Sequence, residues 1–212
     1  MCDEMQSLVC GPHICGFDEA GRGPLAGPVC AACVILPPDF PPGLLNDSKK
    51  LSPAKRETAR AAILHGALAW GIGWASAAEI DRLNILRASL VAMERAWEDL
   101  ALRFPALSRA SPLQAVVDGL YTPPLPIPAK ALVKADATVP AVMAASILAK
   151  TQRDRIMELY DAIYGEYGYG LHKGYPTKAH REAVLRHGPS PIQRLSFTVK
   201  GSLDTAPHKG DS

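Results

Sequence analysis

Four carboxylates stand where packing gives no reason for them. Asp18 and Glu19 are adjacent in Cys15-Gly16-Phe17-Asp18-Glu19-Ala20-Gly21-Arg22-Gly23, Asp118 ends the apolar run 114–117 just before Gly119, and Asp136 closes the stretch Ala131-Leu132-Val133-Lys134-Ala135. Brought together, such groups repel and raise one another's pKa unless divalent cations neutralise them. Oxygen-only ligands favour Mg²⁺ or Mn²⁺ over zinc. Two such ions, roughly 4 Å apart, would activate water and stabilise the leaving oxygen of a phosphodiester. If the carboxylates do not converge, each is simply a charge at a strand end.

The first pair is followed at once by Gly21-Arg22-Gly23. Glycines leave backbone N–H groups open to a phosphate, and Arg22 adds charge and a forked donor set. On a regular strand Asp18 and Glu19 point to opposite faces, so they serve one site only where the strand ends or bends. A solvated hairpin tip is the alternative reading of this stretch. Further on, Ser48, Lys49 and Lys50 precede a helix start, where a hydroxyl and two ammonium groups could hold phosphate. Cys30 and Cys33 have C-x-x-C spacing, and Cys10 and Cys15 could complete a zinc site. Their setting in Val-Cys-Ala-Ala-Cys-Val-Ile-Leu favours small core thiols instead.

The elements that must position these residues read as an α/β layer. Residues 13–17 and 29–36 form a hairpin, and 67–75, with Trp70 and Trp74, a third strand. Ser52-Pro53 opens a helix to about Leu64, and Ser76-Ala77-Ala78-Glu79 matches a capping box. Leu86, Leu90, Met93, Trp97 and Leu100 give a core-facing stripe on a helix over 84–103. Residues 114–118 and 131–136 are apolar strands ending in aspartate. Thr138 caps a long helix over 139–164, apolar nearly all round at 141–149 and solvated on one face around Arg153, Asp154, Arg155, Glu158 and Asp161. After a Gly- and Tyr-rich stretch, Thr177 caps a helix to about His187, and Gly188 stops it. Carboxylates at the ends of the first, fourth and fifth strands share one rim of a mixed sheet.

With 212 residues and 48% hydrophobic content, the chain can bury a full core. Its start has no signal-like pattern and its apolar runs are strand-length, so a soluble, cytoplasmic protein with no membrane partner is expected. From Tyr167 onward there are seven Lys/Arg and three Asp/Glu, against sixteen and eighteen before it. That asymmetry suits an acidic, cation-holding core joined to a basic arm that meets a polyanion. His172, His180 and His187 read as phosphate neighbours or helix-end residues rather than catalytic bases.

The stretches around Asp18–Gly23, Asn46–Ser52, Val117–Gly119, Lys134–Asp136, Ala144–Lys150 and His172–Thr177 resemble, in order, the successive motifs of ribonuclease HII. The resemblance implies an RNase H-like fold: a mixed five-stranded sheet flanked by helices, with a C-terminal helical extension. The chain is accordingly divided into a flexible segment 1–12, a catalytic core over 13–165, a basic substrate-binding extension over 166–200 and, from its polar composition, a flexible tail over 201–212. The resemblance also implies a two-metal endoribonuclease using Mg²⁺ or Mn²⁺, with RNA–DNA hybrids and ribonucleotide-containing DNA duplexes as partners. On that resemblance Asp18, Glu19, Asp118 and Asp136 are the metal-binding carboxylates. Gly21, Arg22 and Gly23 grip the ribonucleotide and its 2′-hydroxyl, the handle that tells RNA from DNA. Tyr175 stacks at the RNA–DNA junction, and Ser48, Lys49 and Lys173 contact phosphate. A monomer is expected, and a replication-clamp contact is left open. Two positions depart from the family pattern: Gln193 where His commonly precedes Arg-x-Ser-Phe, and Ala135 where Gly is frequent.

Overall fold

The computed structural model describes residues 13–45, 51–109 and 112–198. Ser48, Lys49 and Lys50, together with Cys2 and Cys10, lie outside the described residues. The elements run β1 (His13–Ala20), β2 (Val29–Ile35), α1 (Pro53–Gly66), β3 (Ala69–Ala75), α2 (Ala77–Leu83), α3 (Ile85–Arg103), α4 (Pro105–Ser108), β4 (Leu113–Asp118), β5 (Ala129–Leu132), α5 (Pro140–Ile163), α6 (Tyr169–His172) and α7 (Lys178–His187). One mixed sheet results, in the order β3-β2-β1-β4-β5. Its first three strands are antiparallel, and β4 and β5 run parallel to β1.

β2 is buried along its whole length, and its side chains alternate between two cores. Val29, Ala31, Cys33 and Ile35 join β1 and α3 on one face; Cys30, Ala32 and Val34 join α1 and α5 on the other. Cys30 and Cys33 therefore point to opposite faces, and the C-x-x-C pair cannot close on one ion. The Ser52 cap, the Ser76–Glu79 capping box and the Thr177 cap all form as their sequences predict. Thr138 does not cap α5. That role falls to Val139, with no side-chain bond, because Pro140 at the first helical position needs no donor satisfied there.

The stripe on α3 is rotated from the expected one. Ala88, Ala92 and Ala96 are fully buried, with Met93, Trp97 and Leu100, whereas Leu86 and Leu90 are half-buried. Small residues face the sheet because Gly71 and Gly73 of β3 sit against the α3 backbone, where an added methyl would overlap the Ala96 and Ala92 carbonyls. The polar flank of α3 meets the outer edge of β3. Asp99 accepts the Ile72 N–H at 2.9 Å, Arg95 donates to the Trp74 carbonyl at 2.6 Å, and Arg103 donates to the Trp70 carbonyl at 2.7 Å.

On the opposite face the closest approach is at Gly16 of β1. A methyl there would overlap the Ala141–Val142 peptide of α5. Gly16→Ala is expected to destabilise the protein by about 3 kcal/mol, the upper part of the usual overpacking range, because backbone atoms cannot yield as a side-chain end can. A urea midpoint that drops with an unchanged m-value would show it; an unchanged midpoint would mean that α5 can shift freely.

Candidate metal-binding active site

The sheet register brings the first two aspartates together. β1 and β4 pair in parallel up to Phe17↔Val117, so Asp18 and Asp118 are the next positions on neighbouring strands. Gly16 and Val116 both face α5, so Asp18 and Asp118, two residues further along each strand, face it too. Asp136 arrives differently. β5 ends at Leu132, earlier than its sequence suggests, and Asp136 lies in a 3-10 turn over Ala135–Ala137 rather than at a strand end. The chain bends at Lys134, whose φ of 60° is left-handed, and this turns Asp136 under the start of α5. The Ala135 N–H donates to Asp118 Oδ1 at 2.8 Å, tying that turn to β4.

Ligand oxygens of Asp18, Asp118 and Asp136 all lie within 4.8 Å of one another. Asp18 and Asp136 are 5% and 8% exposed, so their mutual repulsion is poorly screened. Burial pushes the Asp18 carboxyl well above the usual carboxylate range, and the Glu19 and Asp118 charges push the same way, against a hydrogen bond from Ser146. A donor set of oxygens alone, crowded together, fits a hard divalent cation. Glu19 stands beside this group rather than within it. β1 remains paired through Ala20, so Glu19 does not swing round to Asp18, and its Oε1 lies 3.3 Å from the Arg22 guanidinium. Both carboxylates still line the same cleft of about 220 Å³, with Gly21-Arg22-Gly23, Ser146, Lys150 and Tyr175.

Two fully buried arginines shape the wall of that cleft. Arg194 donates to the carbonyls of Gly21 (2.6 Å), Arg22 (3.1 Å), Pro24 (2.8 Å) and Gly27 (2.9 Å). Arg153 donates to those of Ala26 (3.2 Å), Pro28 (3.0 Å) and Lys173 (2.9 Å). The Leu25 carbonyl accepts from the Arg194 N–H, so Gly23 alone in 21–28 has a carbonyl outside this net among the described residues. With the carbonyls drawn inward, the Arg22 and Gly23 amides make no backbone hydrogen bond among the described residues. Gly21 is required twice over: its φ of 102° is left-handed, and a methyl there would overlap the Arg153 guanidinium.

Against known proteins, the description Ribonuclease HII matches residues 15–200. A ribonuclease HII of Treponema denticola is 54% identical over 195 residues, covering 88% of this chain and 98% of that one. The chain belongs to the ribonuclease HII family. The crystal structure of ribonuclease H2 from Pyrococcus horikoshii superposes with a TM-score of 0.65 at 27% identity, over 88% of this chain and 94% of that one. That of Bst-RNase HIII in complex with Mn²⁺ gives 0.74 at 18% identity, over 91% and 69%, and speaks to the fold alone. The mixed five-stranded sheet with flanking helices is thus the RNase H-like fold, and the protein is a ribonuclease H endonuclease acting on RNA–DNA hybrids.

As a ribonuclease HII, the chain places its other motif residues unevenly. Tyr175 is 41% exposed in the cleft, and its ring lies 3.7 Å from where a Gly23 side chain would begin. Lys173 does not line the cleft; its ammonium binds Glu158 at 2.8 Å and the Gly170 carbonyl at 2.6 Å. Phosphate contact by Lys173 would require that ion pair to open. Arg153 is 1% exposed, not part of a solvated face, and His180 is fully buried rather than a surface neighbour of phosphate. Ala135 fits where Gly is frequent because the left-handed φ falls on Lys134. Ser146, Lys150, Arg153 and Arg194 all lie in or beside recognised motifs, yet sequence reasoning gave them no part; only their long-range contacts reveal one.

Proposed function

We propose that this ribonuclease HII nicks duplex DNA on the 5′ side of a single embedded ribonucleotide, as well as cutting RNA in hybrids, leaving 3′-hydroxyl and 5′-phosphate ends. The observation that carries the reading is the convergence of Asp118 and Asp136 on Asp18, which lines one cleft with Gly21-Arg22-Gly23 and Tyr175. In this reading Asp18, Asp118 and Asp136, with Glu19 alongside, hold two Mg²⁺ or Mn²⁺ ions; the oxygen-only donor set supports that choice. When bound, such ions supply water activation and neutralisation of charge at the leaving oxygen.

The chain's own residues do the rest. Arg22 and Gly23 offer their amides to the ribose and its adjoining phosphate, and the Arg22 side chain, half exposed, offers charge. Tyr175 stacks on the sugar–base step at the junction, fixing which phosphodiester faces the carboxylates. Ser146 orients Asp18 by its hydrogen bond. Residues 13–165 then form the catalytic part and 166–200 the arm that carries Tyr175.

A duplex holding one ribonucleotide, incubated with the purified protein with and without Mg²⁺ or Mn²⁺, tests the reading. The expected result is a single metal-dependent nick with a 3′-hydroxyl end 5′ of the ribonucleotide. Cleavage of long hybrids without nicking of that duplex would overturn it.

A further inference from the structure

Behind Tyr175 lies a pair of histidines that the cleft chemistry leaves unused. His180 is fully buried in the first turn of α7, and its Nδ1 is 3.0 Å from the Tyr175 carbonyl. A carbonyl only accepts, so Nδ1 carries a proton. His172 lies flat against it, with ring centroids 4.5 Å apart and planes 13° apart. The Gly174 N–H donates to His172 Nδ1 at 3.2 Å, so the proton of His172 sits on Nε2, which donates to the Tyr167 carbonyl at 2.8 Å. His172 thus carries its proton on Nε2, whereas His180 donates from Nδ1. Between them they grip the backbone on either side of Tyr175, whose own N–H donates to the His172 carbonyl at 2.9 Å.

An apolar core would fill this space at less expense. His180 Nε2 and both polar atoms of the Gln193 carboxamide lie buried without a hydrogen bond of good geometry, although the carboxamide is close enough to the imidazole to act on it; a polar group so placed costs roughly 1–3 kcal/mol. Tyr169 closes the cluster, its ring edge-on to both imidazoles at 5.9 and 5.4 Å and its hydroxyl 2.6 Å from Ser190 Oγ. Unsatisfied groups kept in a packed interior point to a role besides stability.

We propose that His180 is a positioning residue for Tyr175: its Nδ1–H, braced by the stacked His172 ring, fixes the backbone that presents the Tyr175 ring to the RNA–DNA junction. The inference rests on the reading of Tyr175 as the junction-stacking residue. His180 acts through Tyr175, so its loss should weaken nicking at a single ribonucleotide more than cleavage of a long hybrid, where many registers are productive.

The test compares single-turnover rates on the two substrates for wild type, His180→Gln, His180→Asn, Tyr175→Ala and the double variant His180→Gln/Tyr175→Ala. Asn carries its amide nitrogen where Nδ1 stood; Gln carries it where Nε2 stood. The ratio of single-ribonucleotide to hybrid rates is expected to fall about five- to tenfold in His180→Gln, the scale of one hydrogen bond, and to return in His180→Asn. His180→Gln should add nothing once Tyr175 is Ala. An equal loss on both substrates, or a further fall in the ratio on the Tyr175→Ala background, overturns the proposal. If Tyr175→Ala itself leaves the ratio unchanged, the reading of Tyr175 fails first and the proposal falls with it. Imidazole ¹⁵N shifts of the wild-type chain give a measurement that needs no variant: Nδ1–H on His180 and Nε2–H on His172 are expected, and the reverse tautomer on His180 refutes the proposal.

Discussion

Asp118→Asn should lower cleavage about a thousandfold or more, the scale on which loss of one group stabilising the reacting charge is measured, while leaving the protein no less stable. The two effects separate because Asp118 has two jobs. Its Oδ1 accepts the Ala135 N–H, and an Asn oxygen can still do so. Its charge, however, is one of those that raise the Asp18 carboxyl, and Asn relieves that repulsion. In the absence of metal the variant should melt at or slightly above the wild-type temperature. The gain in melting temperature that Mn²⁺ confers on wild type should largely vanish, since binding to the folded state alone is what shifts the melt. Rates on a ribonucleotide-containing duplex and a melt with and without Mn²⁺ measure both. Wild-type cleavage by the variant would remove Asp118 from the site.

Arg194→Met should be the most damaging substitution outside the carboxylates. Four carbonyls of the 21–28 stretch would lose their donor, three of them in buried contacts and that of Arg22 part-buried. A loss on the order of 3–5 kcal/mol is expected, less than the sum for four separate groups because the stretch will relax. That is a large part of the stability of a typical domain. Burial, and then the neighbouring Arg153 charge, bring the Arg194 ionisation down to about 9, so the side chain is charged at neutral pH. Asp81 sits nearby and accepts the N–H groups of Leu195 and Ser196, each at 2.9 Å, fixing the strand of chain that carries the guanidinium. Arg194→Lys keeps the charge but cannot reach four carbonyls at once, and should fall between wild type and Met. Denaturant midpoints for the three proteins decide it; equal midpoints would mean that water replaces the guanidinium without penalty.

Much of this architecture was legible in the residues. The β1–β2 pairing, the capped starts of α1, α2 and α7 and the placement of Asp118 follow from local signals of apolar runs, caps and glycine stops. Asp136 was found at the right rim but for the wrong reason. Val133 and Ala135 continue an apolar pattern that the backbone abandons at Leu132, and only the left-handed Lys134 shows why. Arg153 and Arg194 were illegible because a buried guanidinium and a solvated one look alike in sequence. The difference lies in carbonyls that, Lys173 apart, are more than 120 residues away, which no local window contains. The pairing of Glu19 with Arg22 was hidden for the opposite reason, since two adjacent carboxylates invite a single cluster, whereas the straight strand sets Glu19 beside Asp18 in the shared cleft.

The side chains that α3 sets along β3 have a consequence for how the molecule meets its own copies. A strand at the border of a sheet is a template on which another strand can assemble, and partly unfolded chains aggregate through such borders. Here Ile72, Trp70 and Trp74 present to that border an N–H and two carbonyls already claimed by Asp99, Arg103 and Arg95. An incoming strand would have to displace three charged side chains, one of them also stacked over the Trp70 ring at 3.8 Å. The polar flank of one helix thus guards the sheet against unwanted extension, on the side farthest from the carboxylates.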